Sequence, residues 1–217
     1  MKLKAIRPNK GIEVAYKKEL LKLVDDMQES VSYWVESAYD REVAFDSAAE
    51  VLAKVIRKRI EKWQKEFDRR ASFLAKKFIG NINKYTFSNL KRDVKKKMPT
   101  VKFQTTPALD NIIDSLVAEN VSLIKSIPSR YFSEIEVLVQ HSIREGRNLA
   151  YLTDMLEKRY GITRRRAILI ATDQNNKATE SINRQRVMDL GITKGVWKHT
   201  GGSKEPRKSH QHASGKE

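Results

Sequence analysis

Apolar residues recur at Ile12, Tyr16, Leu20, Leu23, Val24, Met27, Val31, Trp34, Val35 and Ala38, the spacing of one face of an α-helix. This predicts an amphipathic helix of about seven turns. The pattern restarts at Phe45 and runs through Ala48, Leu52, Ile56, Ile60, Trp63, Phe67, Ala71, Leu74 and Phe78 to Gly80-Asn81, predicting a second helix of about 35 residues. An isolated helix rarely stands alone in water, so a stripe this long without an internal cap reads as an extended arm or hairpin packed on another helix.

A third, basic helix is expected from Ile82 to Met98, with Ile82, Tyr85, Leu90, Val94 and Met98 inward and Pro99 as its stop. Thr100 to Thr106 has no helical period and reads as an extended linker, after which Thr106 caps a helix that has Pro107 in its first position. The domain boundary is placed there, giving an arm over 1–106 and a domain over 107–217. Within that domain one helix runs from Pro107 to about Ile127, and Pro128-Ser129 starts another that ends near Gly146. Asn148 and Gly161 bracket a shorter one. Thr163 caps a last long helix to about Leu190, which Gly191 closes. Lys194 to His199 suggests a short strand, and residues 200–217, rich in Gly, Ser and charge, read as loop. The expected fold class is mostly α, with long amphipathic helices in an extended N-terminal arm and a helical C-terminal domain that ends in a small β element.

Nine Gly and five Pro in 217 residues disfavour a turn-rich β fold. No apolar run reaches the roughly 18 residues needed to span a bilayer, and the N-terminus lacks the apolar core of a signal peptide. The expected location is therefore cytoplasmic. Zero Cys removes disulfides, thiol nucleophiles and thiolate metal ligands. The net charge of +16 is unevenly distributed. Residues 1–53 carry net −2, residues 54–102 net +13, residues 103–157 net −4 and residues 158–217 net +9.

Such local excess points to a polyanion, because Lys and Arg neutralise a phosphate backbone while releasing its counterions. The candidate contacts are Arg57, Lys58, Arg59, Arg69, Arg70, Lys76, Lys77, Lys91, Arg92, Lys95, Lys96 and Lys97. No zinc-finger spacing, leucine-zipper series or RNA-recognition aromatic signature accompanies them, so the expected binding is to the backbone and without sequence preference. The bland reading is a solvated helix face. For catalysis the chain offers no P-loop, dinucleotide-binding glycine pattern, nucleophile elbow or HExxH helix. His141 reads as structural, and His210 with His212 lacks the further ligands of a metal shell. No catalytic residue, metal or cofactor is expected. The run Asp173-Gln174-Asn175-Asn176 is unusual inside a helix, where short polar side chains compete for backbone hydrogen bonds, and reads as a buried polar network or a wet face.

The segment Ile170-Ala171-Thr172-Asp173-Gln174-Asn175-Asn176-Lys177, followed by Asn183, Arg186, Gly191, Trp197, Arg207, His210 and Gly215, resembles the head-morphogenesis domain of Mu F-type minor head proteins of tailed phages. In that family a helix with an A-R-D-Q or A-R-T-E motif leads through a glycine to a W-x-x-x-x-D-x-R-x-R-x-x-H-x-x-x-G loop. The resemblance covers residues 168–215, about a quarter of the chain. Thr172 stands where the family often has Arg, Pro206 interrupts the D-x-R-x-R stretch, and no Asp lies between Trp197 and Arg207. Family members usually continue beyond the His-to-Gly step, which implies a shortened β element here.

The resemblance implies a non-enzymatic virion component near the portal vertex, made in the host cytoplasm. Its partners would be the portal protein, double-stranded DNA and the major capsid or scaffold protein, with no membrane in the assembled head. It also implies that Asp173, Gln174, Asn175 and Lys177 hold their helix to the strand of Trp197. Tyr33, Trp34 and Tyr39 on the near-neutral first helix are the candidate portal contacts, since aromatics anchor interfaces; a plain core role is the alternative. Competing readings are a toxin-like ADP-ribosyltransferase or nuclease, and a nucleic-acid-binding helical protein unrelated to phage.

Overall fold

The computed structural model describes residues 3–42, 48–144, 149–194, 196, 208–213 and 215. Four long helices dominate it: α1 (Lys10–Glu42), α2 (Ala48–Lys95), α3 (Pro107–Arg144) and α4 (Leu149–Asp189). A single-turn α5 (Lys208–His212) follows. The chain is mostly helical, and no strand occurs among the described residues. The expected β element is not seen there, although Trp197, His199 and most of that segment lie outside the described residues.

Cross-helix contacts define an up-down-up-down bundle. Tyr16 of α1 stacks on Phe78 of α2, while Trp34 lies against Arg59. The α3–α4 seam joins Asn120 to Gln174 and Glu134 to Arg159. Between α4 and α1, Thr172 meets Glu13 and Arg164 meets Asp25. In each pair one index rises as the other falls, so these neighbours are antiparallel. Across the diagonal, Tyr16 reaches Asn120 and Gln28 reaches Tyr131, and α1 and α3 run parallel.

All four helices feed one core. Leu20, Leu23, Met27 and Val31 meet Phe67, Phe78, Ile79 and Ile82, with Ile124, Ile127, Tyr131 and Ile135 from α3 and Leu152, Ala171, Ala178 and Ile182 from α4. Residues 1–106 are thus not an extended arm in this structure, because α1 and α2 bury their apolar stripes against α3 and α4. The boundary at 106/107 falls between two helices of that same core. Even the connection is tied down, since Phe103 packs edge-on against Phe87 and Thr106 Oγ1 donates to Asp189.

Three expected breaks are absent. α2 passes through Gly80, where helix costs about 1 kcal/mol relative to Ala, because Ile79 and Ile82 on either side are fully buried. Each such burial contributes about 1.5–3 kcal/mol. α3 likewise continues through Pro128, flanked by buried Ile124, Ile127, Tyr131 and Phe132. In α4, Thr163 does not cap a new helix: its hydroxyl donates to the Arg159 carbonyl one turn earlier, and the helix runs on through Gly161. The two true ends are as expected. Thr106 Oγ1 accepts from the Leu109 amide at 3.2 Å. Gly191 has φ 75°, with its own amide donating to Met188 and that of Ile192 to Val187, the paired bonds of a Schellman cap.

Candidate nucleic-acid interface

The charge of the bundle is carried unequally by its helices. Within its bounds α2 has fourteen Lys/Arg against five Asp/Glu, net +9, whereas α4 is net +3, α3 net −2 and α1 net −3. The inward face of α2 is fixed by Ile56, Trp63, Phe67, Leu74, Phe78, Ile82 and Leu90. Helical periodicity then places Lys58, Lys62, Lys65, Arg69, Lys76 and Lys84, all exposed, on the opposite face. Half-buried Lys91 and exposed Lys95 extend the row. From Lys58 to Lys95 the stripe is about 55 Å long at 1.5 Å per residue, a length of duplex carrying roughly 30 phosphates.

Individual cations differ in freedom. Lys58, Lys65, Lys76, Lys84, Lys95 and Lys96 have no ion-pair partner among the described residues. Arg57 is also exposed. Arg69 and Arg70 both bind Glu66, whose carboxyl is held below its ordinary range first by the Arg69 hydrogen bond. Lys77 reaches Glu19 at 3.4 Å, Lys97 lies 3.8 Å from Asp93, and Arg92 donates to Asn89. Lys91 sits over the Phe87 ring. Lys96 and Lys97 follow the helix in a turn.

Arg59 departs most from expectation. It is half-buried, with its guanidinium carbon 4.5 Å from the Trp34 ring centroid. A cation–π contact between α1 and α2 occupies it. Conversely, Lys62, Lys65 and Lys84 belong to the exposed face and escaped attention in the sequence because they stand outside the dense runs. Helical spacing of three, four, seven or eight between successive cations of this face from Lys58 onward is the signal that finds them.

The polar run of α4 turns inward. Gln174 and Asn175 are buried, Asn183 and Arg186 half-buried, and Asp173 exposed. Tyr16 Oη donates to Asn120 Oδ1, Asn120 Nδ2 donates to Gln174 Oε1 at 3.0 Å, and Gln174 Nε2 donates to Glu119. Lys177 Nζ closes the chain on both Glu119 oxygens at 2.7 Å and, as the leading cause, lowers the Glu119 pKa. Asn175 Nδ2 donates to the Asn9 carbonyl, and Thr172 to Glu13. The Glu13 carboxyl is also held below its ordinary range, chiefly by the Lys10 hydrogen bond. At the far end Arg186 donates to Asn83 and lies over Phe87, where burial pushes its pKa down. Among the described residues the partners of this run are therefore on α1 and its cap, α2 and α3. Trp197, Arg207 and the His210 side chain lie outside the described residues, and Gly215 sits in a turn with φ 91°.

Of the aromatic trio on α1, Tyr33 is 59% exposed and meets Trp34 edge-on, whereas Trp34 is half-covered by Arg59. The Tyr39 side chain lies outside the described residues. Among the described residues no group of three or more His, Asp or Glu is placed to hold a metal ion. None of the helices is long and apolar enough to cross a membrane. A groove of about 430 Å³ runs between α3 and α4, floored by Ile112, Leu116 and Met188 and edged by Glu119, Lys177 and Arg184.

No protein-family model matches the chain, and no solved structure does. It is similar to an uncharacterized protein of Haemophilus influenzae, 24% identical over 203 residues. The match covers 90% of this chain and 45% of that protein, so the chain spans less than half the length of its relative.

Proposed function

We propose that the protein is a non-enzymatic nucleic-acid-binding helical bundle that grips DNA through the outward face of α2 without sequence preference. The observation that carries this reading is the stripe of cations along a helix whose other side is locked into the core. Among the described residues six of the Lys along α2 and its end have no internal ion pair, so little is given up when a phosphate replaces water around them. A rigid support also keeps their spacing fixed while a flexible polyanion adapts to it.

The resemblance of residues 168–215 to Mu F-type head proteins supports the narrower role of a minor head protein in a tailed phage. That protein meets DNA at the portal during assembly, packaging or ejection. The portal, with major capsid or scaffold protein, is the proposed protein partner, and exposed Tyr33 beside Trp34 is the proposed contact. Fluorescence anisotropy with labelled duplexes of unrelated sequence tests the DNA reading: equal affinities, falling steeply between about 50 and 200 mM salt, are expected. Affinity that ignores salt contradicts it. Co-purification with the portal protein that persists in Tyr33→Ala contradicts the proposed contact.

A further inference from the structure

Phe73 is 67% exposed and lies in the middle of the α2 stripe. It follows Arg69 and Arg70 by one turn and precedes Lys76 and Lys77 by one turn, the positions that touch on a helix surface. Burial therefore gives no reason for a large aromatic here, since neighbouring Leu74 and Ala75 fill the core and Phe73 points the other way. Glu66 draws both Arg69 and Arg70 back toward the preceding turn. Lys77 Nζ lies over the ring, 5.9 Å from its centroid, so one face carries a cation while the ring as a whole stays largely exposed.

An exposed ring with one face away from Lys77, beside Lys76, which has no ion-pair partner among the described residues, is an arrangement that holds single strands: the backbone follows the charge while a base lies on the ring. In a duplex the base faces are stacked on one another, and only their edges and the phosphates are accessible from outside. Resting on the reading of α2 as the nucleic-acid face, we propose that Phe73 is a base-stacking platform that makes this face favour single-stranded over duplex nucleic acid. The cations attract both forms through their phosphates, and Phe73 adds affinity only where a base is unpaired.

The test compares an oligo-dT strand with a duplex of equal length against the full chain, Phe73→Ala, Phe73→Leu, Phe73→Trp and a Lys58, Lys65, Lys76, Lys84→Gln variant. Phe73→Ala and Phe73→Leu are expected to weaken single-strand binding on the order of 10- to 100-fold and duplex binding less than about 2-fold. Phe73→Trp should retain single-strand affinity, and its added fluorescence should be quenched by the strand. Equal losses on the two forms, no loss, or full retention by Phe73→Leu overturns the stacking role. Unchanged binding in the lysine variant overturns the reading of α2 itself, separately from Phe73. Because Phe73 is exposed, thermal melts of its variants should match the parent chain.

Discussion

Two runs of polar residues stand on two long helices across the bundle, and the bundle uses them in opposite ways. On α2 a row of cations points outward along about 55 Å of surface, and Lys58, Lys65, Lys76, Lys84 and Lys95 in it have no ion-pair partner among the described residues. On α4 the run from Thr172 to Arg186 turns Gln174, Asn175 and Thr179 inward, leaves Asp173, Asn176, Lys177, Glu180 and Arg184 exposed, and bonds to Glu13, Asn9, Asn120, Glu119 and Asn83. Residue type alone does not separate them. The separation comes from the phase of each run relative to its apolar stripe. In α2 the stripe of Phe67, Leu74 and Phe78 lies opposite the lysines, while in α4 Ala171, Ala178 and Ile182 share the buried face with Gln174 and Asn175. A polar group that faces water is free to bind a partner, whereas one that faces the core must be satisfied within it.

Four changes would break or sharpen this contrast. Replacing Lys58, Lys65, Lys76 and Lys84 together by Gln should lower DNA affinity on the order of 10³-fold at about 0.1 M salt. The same variant should melt with the parent chain in a thermal scan. Asn120→Ala should do the reverse, costing about 1–3 kcal/mol of stability by leaving the Tyr16 hydroxyl and Gln174 Oε1 without their partner. Urea titration reads that loss, and DNA affinity measured well below the transition should stay unchanged.

Acid should weaken the polar network through Glu13 and Glu119. The folded pKa values of Glu13 and Glu119 lie below the ordinary 4.5, so the stability they contribute is fully present above that value. It is lost as pH falls through their folded values, because the unfolded chain takes up protons first. Glu13→Gln with Glu119→Gln should flatten the acid limb of stability against pH; an unaltered limb would remove these pairs from the account. The smallest effect is expected at Arg59. Arg59→Gln should cost about 0.5–1 kcal/mol through the lost contact with Trp34 while changing DNA affinity less than the loss of one exposed lysine. A DNA effect as large as that of Lys58→Gln would return Arg59 to the binding face.

Much of the fold was legible from periodicity. The stripes through Leu20 to Val35 and Phe67 to Phe78, the Thr106 cap and the Gly191 end all stand as read. What misled was local punctuation. Gly80, Pro128 and Gly161 each signal a break, yet tertiary burial on both sides of Gly80 and Pro128 outweighs the local cost. Reading the first 106 residues as an arm failed for a related reason: an amphipathic stripe states that a helix needs a partner without stating which. At the candidate site the dense runs of charge drew notice to Arg59, Arg69 and Arg70, all now seen to be engaged, and away from Lys62, Lys65 and Lys84. Engagement depends on Trp34 and Glu66, and the contact with Trp34 lies 25 residues away in sequence, where no local pattern reaches it.

The salt dependence of DNA affinity for the parent chain and the Lys58, Lys65, Lys76, Lys84→Gln variant tests the central claim most directly. Each phosphate contact contributes about 0.9 to the slope of log affinity against log salt concentration. The variant is therefore expected to lose roughly 3.6 units of slope on duplex DNA. An unchanged slope, with both proteins folded, would place the DNA-binding surface somewhere other than α2.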